Sequence, residues 1–370
     1  MSRTGRVGVG VGVIGAGVIS SEYLDNLTAF PDLEVLFVAD VDLVRAKAQA
    51  EKYDIAGRGT VEELLAHPDI EIVVNLTLPA AHVEVALRAL AAGKNVWTEK
   101  PFALDRESGK KLLEEAARLG LRVATAPDTF LGAGLQTALR LIEEGAVGAP
   151  LTALALMQSP GPDSWHPNPE FLFQEGGGPL FDIGPYYLTT LVQTFGPVKR
   201  VVAAASTSRP VRVIGSGPRA GTEFDVTVPS HHGALIEFES GASAQTIFSF
   251  ESHRKRGGFV EVSGTTATIA FPDPNTFDGD CVVFDGTDDD GRKVPAVGSR
   301  STRGTGVAEL AQAIRAGRPE RASGAQAYHV LDIMVSIAES ARRGETVTVE
   351  SSFEKAPAVP EGWDPKVATL

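Results

Sequence analysis

Lys100, set between Glu99 and Pro101, and the turn Gly15-Ala16-Gly17, followed by Asp40, are the residues here whose types and spacing can do chemistry. An ammonium at Lys100 can polarise an oxygen on a substrate carbon while a hydride leaves or arrives. Pro101 fixes the backbone immediately after it. Gly15 permits a tight turn, and Gly17 lets backbone N–H groups approach a pyrophosphate where a helix opens at Val18 and Ile19. The third glycine of G-x-G-x-x-G is replaced by Ser20, which is small enough to keep helix and strand close. Asp40 lies roughly 20 residues on, where a carboxylate accepts hydrogen bonds from both ribose hydroxyls. The same charge repels a 2′-phosphate; Asp42 adds to that repulsion and Arg45 softens it. NAD is therefore expected rather than NADP, and the cofactor residues expected from this turn are Gly15, Gly17, Val18, Ile19 and Asp40.

The elements that must position these residues are legible around them. An apolar run from Val9 to Ile14 reads as a buried strand, Val18 to Ala29 as a helix, and Leu33 to Ala39 as a second strand closed by Asp40. Further strands are expected at Ile70–Leu76, Asn95–Thr98 and Arg122–Ala126. Helices are expected at Leu43–Tyr53, Val61–Ala66, Ala80–Ala92 and from Asp105 to about Leu119. Strand and helix alternating through residue 126 predict a parallel, doubly wound sheet. Thr77-Leu78-Pro79 and Glu99-Lys100-Pro101 then fall at the C-terminal ends of strands, the edge where open α/β sheets bind ligands.

Beyond Pro127 the rhythm changes. Helices are expected at Leu135–Glu144 and Asp182–Phe195, separated by a polar, Pro- and Gly-rich loop from Ser159 to Gly178 whose length suggests binding. Seven β-rich runs follow between Val198 and Phe284, predicting a mostly antiparallel sheet. Helices at Val307–Ala316 and Ala325–Arg342 and a short strand at Thr346–Val349 complete the series. The expected division is 1–126, 127–353 and a Pro-rich tail, 354–370, that is loosely held. In the loop, Trp165 and His166 stand among prolines, a patch suited to the C–H face of a sugar ring. Asp128, where the second domain begins, is a further substrate-site candidate.

A net charge of −13 opposes nucleic acid and anionic membrane surfaces. Cys281 is the only cysteine, so no intramolecular disulfide can form and a reducing compartment is expected. No segment reads as a signal peptide or as a membrane span of roughly 20 apolar residues, so the expected location is cytoplasmic. No Cys or His cluster suggests a metal. His231 and His232 are neighbours on a strand and point to opposite faces. His67, His253 and His329 have no partner at ligand spacing.

Taken together, the glycine turn, Thr77-x-Pro79-x-x-His82 followed by Ala92-Gly93-Lys94-x-Val96, Glu99-Lys100-Pro101, and Gly176-Gly177-Gly178-x-x-x-Asp182-x-Gly184 resemble the Gfo/Idh/MocA family. The resemblance covers about Val7 to Val349. It implies a Rossmann domain followed by an α/β domain with an open sheet, whose free face builds homodimers or homotetramers. It also implies an NAD-dependent oxidoreductase acting on a secondary hydroxyl or ketone of a sugar, glycoside or cyclic polyol. Two alternatives stay open: a glycosidase- or lyase-like member that oxidises its substrate transiently with retained NAD, and a non-catalytic sugar-sensing regulator. Position by position, Lys100 matches the catalytic lysine and Glu99 its cofactor-side neighbour. Thr77, Pro79 and His82 match the loop along the nicotinamide ribose, and Asp182 matches the acid of D-x-G-x-H. Where the family places histidine this chain has Tyr186, whose phenol near an ammonium could act as acid/base or only line the pocket.

Apart from the resemblance, the second-domain strands carry apolar residues at both parities. An uncovered face would then pack against a copy of itself.

Overall fold

In a computed structural model describing residues 8–286 and 288–370, Val9–Ile14 (β1) is buried along its whole length. A strand covered on both faces needs no polar alternation, which is why valine and glycine follow one another there. The chain then alternates through α1 (Val18–Leu27), β2 (Leu33–Ala39), α2 (Leu43–Lys52), β3 (Gly57–Gly59), α3 (Val61–Ala66), β4 (Ile72–Asn75), α4 (His82–Ala91), β5 (Asn95–Thr98), α5 (Arg106–Leu119) and β6 (Val123–Thr125). The helix boundaries have local causes. Thr60 opens α3 with a capping box closed by Glu63. Asp105 caps α5 through Ser108 N at 2.8 Å, and Gly120 ends it in the left-handed region.

The strands pair in parallel in the order β3-β2-β1-β4-β5-β6. The order reverses between β1 and β4, so a crevice opens at the C-terminal ends of those strands. Gly15 follows β1, Asp40 follows β2, Thr77 follows β4, and Glu99-Lys100 follows β5. One edge therefore carries all four turns.

This first unit runs through Gly132 but also takes Gly298–Tyr328 and Lys355–Leu370. The division differs from the contiguous one expected, and hydrogen bonds within the unit give the reason. Thr125 N donates to Ala322 O at 3.1 Å, and Ala124 bridges Ser323. The tail is not loosely held: Trp363 Nε1 donates to Gln312 Oε1 at 2.6 Å, and Asp32 accepts Thr369 N and Leu370 N at 2.9 and 3.1 Å.

The second unit, Ala133–Val297 with His329–Glu354, holds α6 (Ala133–Glu143), β7 (Pro150–Gln158), α7 (Gly178–Asp182), α8 (Gly184–Phe195), β8 (Val198–Ser206), β9 (Val211–Val213), β10 (Glu223–Asp225), β11 (His231–Phe238), β12 (Ser243–Ser249), β13 (Arg256–Gly264), β14 (Thr268–Ala270), β15 (Cys281–Phe284) and β16 (Arg292–Val294). Helix α9 (Thr305–Ala316) belongs to the first unit; α10 (Gly324–Arg343) begins there and continues in the second, which β17 (Val347–Thr348) ends. The sheet order is β16-β15-β14-β13-β7-β12-β11-β8-β17, antiparallel except where β12 runs parallel to β7. A cross-strand row of Val201, Ile236, Ala244, Ala153 and Val262 is buried, and α8 packs on β7. Asp182–Phe195 is not one helix. Pro185 has no N–H to continue the ladder, so α7 ends at Asp182 and α8 restarts at Gly184.

Candidate active site

The glycine turn is built by close approach. Gly15 has φ +104°, and a Cβ there would lie 2.6 Å from the Leu76 carbonyl oxygen, so no other residue fits. A Cβ at Gly17 would meet nothing, which leaves the approach to the start of α1 open. No side chain caps that helix, and Val18 is exposed. Uncapped N–H groups beside open space are what a pyrophosphate requires, so the cofactor fits. Ser20 is buried and its hydroxyl donates to Gly17 O at 2.6 Å. The substitution at the third glycine position thus fastens the turn.

Asp40 is drawn against this turn: Oδ2 accepts Ala16 N at 2.7 Å and Oδ1 accepts Asp42 N at 2.8 Å. Each oxygen keeps a lone pair for a ribose hydroxyl. Arg45 pairs with Asp42 at 3.2 Å, and the Asp42 side chain caps α2 through Val44 N at 3.0 Å. The guanidinium therefore answers the charge of Asp42.

The turns after β4 and β5 are held from behind. Asn75 Oδ1 accepts the Thr77 hydroxyl at 2.7 Å, and its amide donates to His82 O at 2.9 Å. His82 is buried, with Nδ1 2.8 Å from Pro101 O and Nε2 2.9 Å from Thr77 O. Whichever nitrogen carries the proton, the ring is tied to one of the two loops; burial pushes its pKa below the ordinary value. Both ring nitrogens of His82 thus face backbone carbonyls, one on the Thr77 side and one at Pro101.

Behind Lys100 lies a buried polar chain. Trp97 Nε1 donates to the Tyr23 hydroxyl at 3.2 Å, which donates to Glu99 Oε1 at 2.7 Å; Glu99 Oε2 accepts Lys100 N at 3.0 Å. Tyr23 and Trp97 are fully buried, and burial, with Glu99 and Asp128 nearby, holds the phenol protonated. The turn bearing Lys100 is thereby fixed to α1, the helix that opens at Gly17. Asp128 is also buried: Oδ2 accepts Gly304 N and Gly306 N at 3.0 Å each, which fastens the start of α9. A Cβ at Gly306 would strike the Trp97 ring at 2.1 Å. Burial raises the Asp128 pKa to about 6 against those two bonds. Its Oδ2 is engaged by the backbone, a task the sequence does not announce. Tyr23, Trp97 and Asn75 are likewise missed, because an apolar pattern records burial but not partners.

In the second unit, Asp182 ends α7 half-buried and Tyr186 is buried in the first turn of α8. Ile183 lies between the two helices, so Asp182 and Tyr186 do not share one helix. Trp165 is 63% exposed, and His166 stands beside it with ring centroids 5.6 Å apart. Among the described residues no group of three or more His, Cys, Asp or Glu is placed to hold a metal ion. Nor is any helix there long and apolar enough to cross a membrane.

An uncapped α1, an acid after β2 and a braced lysine turn share one edge of a parallel sheet, the arrangement a nicotinamide-dependent oxidoreductase requires. Residues 9–126 match the oxidoreductase family with an NAD-binding Rossmann fold, and residues 135–270 match the GFO/IDH/MocA C-terminal domain. The chain belongs to the GFO/IDH/MocA family of oxidoreductases. It is 28% identical over 355 residues to an uncharacterized oxidoreductase of Rhizobium meliloti, covering 91% of this chain and 98% of that one. It is 29% identical over 266 residues to the trans-1,2-dihydrobenzene-1,2-diol dehydrogenase of Bos taurus, with 71% and 74% covered. The 1,5-anhydro-D-fructose reductase of Ensifer adhaerens is 28% identical over 265 residues, with 70% and 74% covered. The fold is shared with levoglucosan dehydrogenase in complex with NADH (TM-score 0.81, 23% identity, covering 93% of this chain and all of that one).

Proposed function

We propose that the protein transfers a hydride between NAD and a secondary hydroxyl or ketone of a sugar, glycoside or cyclic polyol. The observation that carries this is the Lys100 turn, braced through Glu99 to Tyr23 and Trp97 on the same sheet edge as Gly15, Gly17 and Asp40. Bound NAD supplies the hydride acceptor or donor. Lys100 hydrogen-bonds the reacting oxygen and stabilises the negative charge that develops on it. Asp182 orients the lysine or a neighbouring hydroxyl, and Tyr186 relays the proton. Thr77 and Pro79 line the nicotinamide ribose, with His82 holding their loop. Trp165 and His166 grip the substrate ring. Relatives named for a cyclic dihydrodiol and for an anhydro-sugar support a secondary oxygen on a ring carbon as the reacting centre.

The test is turnover followed at the nicotinamide absorbance band against sugars and inositols. Lys100→Ala is expected to lower kcat by a hundredfold or more, on the order of 3 kcal/mol of lost transition-state stabilisation. Full turnover in that variant sinks the mechanism. Product formed without net NADH, on cofactor that survives purification, indicates transient oxidation instead.

A further inference from the structure

The start of α9 joins the first unit from far along the chain, and it packs against two parts of the cofactor edge at once. Asn26 of α1 donates from Nδ2 to Thr302 Oγ1 at 2.7 Å and to Arg303 O at 3.0 Å. Gly304, at φ +101°, lies against Leu27 of the same helix, where a Cβ would stand 3.2 Å from the leucine side chain. Two residues on, a Cβ at Gly306 would strike the Trp97 ring at 2.1 Å and lie 2.9 Å from Asp128 Cβ. The segment Thr302–Gly306 is therefore pressed between α1 and β5. Gly304, the N-cap of α9, has no side chain to offer; the N–H groups of Gly304 and Gly306 both go to Asp128 Oδ2.

These contacts run in series toward the lysine turn. Asp128 holds Gly306 against Trp97, Trp97 Nε1 donates to Tyr23, and Tyr23 donates to Glu99, whose other oxygen accepts Lys100 N. Asp128, Trp97, Tyr23 and Glu99 are all buried, and an interior packed this closely passes a displacement on. Burial raises the Asp128 pKa to about 6, with Glu99 adding to the rise and Arg303 opposing it. For the fold alone this is unfavourable at neutral pH: the shift favours folding below about pH 4, and that contribution is lost as pH rises through 6. A charge retained there against its own stability marks a group kept for the site it holds.

We propose that Asp128 is a positioning residue for hydride transfer: its ionised carboxylate clasps the start of α9 onto Trp97 and so sets the Lys100 turn through Tyr23 and Glu99. The proposal rests on the oxidoreductase reading for what Lys100 does, whereas the clasp lies wholly within the first unit. Uptake of a proton converts two bonds to an anion into bonds to a neutral acceptor, roughly half as strong. The clasp then loosens on acidification, and the turn loosens with it. The groups facing the carboxylate are Glu99 of the turn, Tyr23 of α1 and Arg303 before α9; burial keeps the Tyr23 phenol protonated throughout.

The experiment follows the NAD-loaded full chain across about pH 5 to 8 by tryptophan emission and by amide exchange over residues 97–100, corrected for intrinsic exchange. The wild type shows a transition with its midpoint near 6 in both signals, exchange being about tenfold faster on the acid side. Asp128→Asn keeps the shape but cannot ionise, so it holds the acid-side rate at every pH. Trp97→Phe removes the transition from the emission. Gly306→Ala leaves the carboxylate in place but displaces the Trp97 ring, and speeds exchange over 97–100 throughout. Turnover of levoglucosan or myo-inositol falls with the same midpoint, through kcat rather than KM, and Asp128→Asn flattens that limb. The proposal is overturned if the wild type shows no transition or if the transition survives in Asp128→Asn. It is also overturned if Asp128→Asn lowers the melting temperature while exchange over 97–100 stays as in the wild type. Should that variant fail to fold, the wild-type transition and Gly306→Ala still decide. Emission and exchange are read without turnover, so failure here is distinct from failure of the oxidoreductase reading, which falls only if Lys100→Ala keeps full turnover.

Discussion

At the scale of single residues, the site depends on which group each polar atom faces. Asp40 turns both oxygens toward backbone N–H groups beside the glycine turn, so its charge is fixed at that turn. Calorimetric titration of both cofactors is expected to give tighter binding of NAD than of NADP, and Asp40→Ser is expected to narrow the gap. Equal affinities in the wild type would mean that Asp40 does not select. Tyr23 offers a second case. Tyr23→Phe removes one oxygen, leaves Glu99 Oε1 and Trp97 Nε1 without their partner, and is expected to cost about 1–3 kcal/mol of stability. It should also lower kcat, because the Lys100 turn loses its tie to α1. A variant with wild-type kcat and the same loss of stability would show that the chain through Glu99 only supports packing.

Among elements, the join of α10 to β8 is set by a histidine that no spacing rule marks. His329 is buried; its Nε2 accepts Val198 N at 2.9 Å, so Nδ1 carries the proton and donates to Ser351 Oγ at 2.9 Å. Burial lowers its pKa to about 4. The sign follows: the unfolded chain takes up a proton below about 6.5 while the folded chain does not. This contribution is therefore complete above about pH 7 and is lost as pH falls through 6.5 toward 4, on the order of 3 kcal/mol at most. Urea midpoints across pH 4–7 should show it, and His329→Gln should flatten that part of the curve. An unchanged slope in the variant would place the acid sensitivity elsewhere.

For the whole molecule, the open question of the second unit is its outer sheet face. The cross-strand row of Val202, Leu235, Gln245 and Leu154 lies opposite the buried one, and its three apolar members are 46%, 40% and 37% exposed. The helices therefore do not cover all the apolar area. Arg200 and Glu237, paired at 2.8 Å, stand one row away as a charged rim. We expect this face to meet a copy of itself about a two-fold axis, burying roughly 2,000 Å² or more in total. Light scattering at micromolar concentration should give two or four times the chain mass of 38.9 kDa. A mass near 38.9 kDa would leave the face to solvent.

What the sequence determined by itself was local and periodic. The order of strand, glycine turn, helix and acid from Val9 to Asp40 needs only short-range sterics and continuous apolar runs, so the first sheet and the cofactor edge were readable. Lys100 was placed by its position after a strand. Tertiary structure decided the rest. Strand β7, Pro-Leu-Thr-Ala-Leu-Ala-Leu-Met-Gln, has the composition of a helix, yet it lies in the middle of the second sheet because β12 and β13 supply partners on both sides. The two compact units depart from the contiguous division for the same reason: Asp128 and Asp32 accept from backbone more than 170 residues away. Arg212 is buried between the exposed Val211 and Val213, and only the carboxylates of Asp163 and Glu251, distant in sequence, make that burial possible. Periodicity reports which residues leave water; which partners meet them there is settled by the fold.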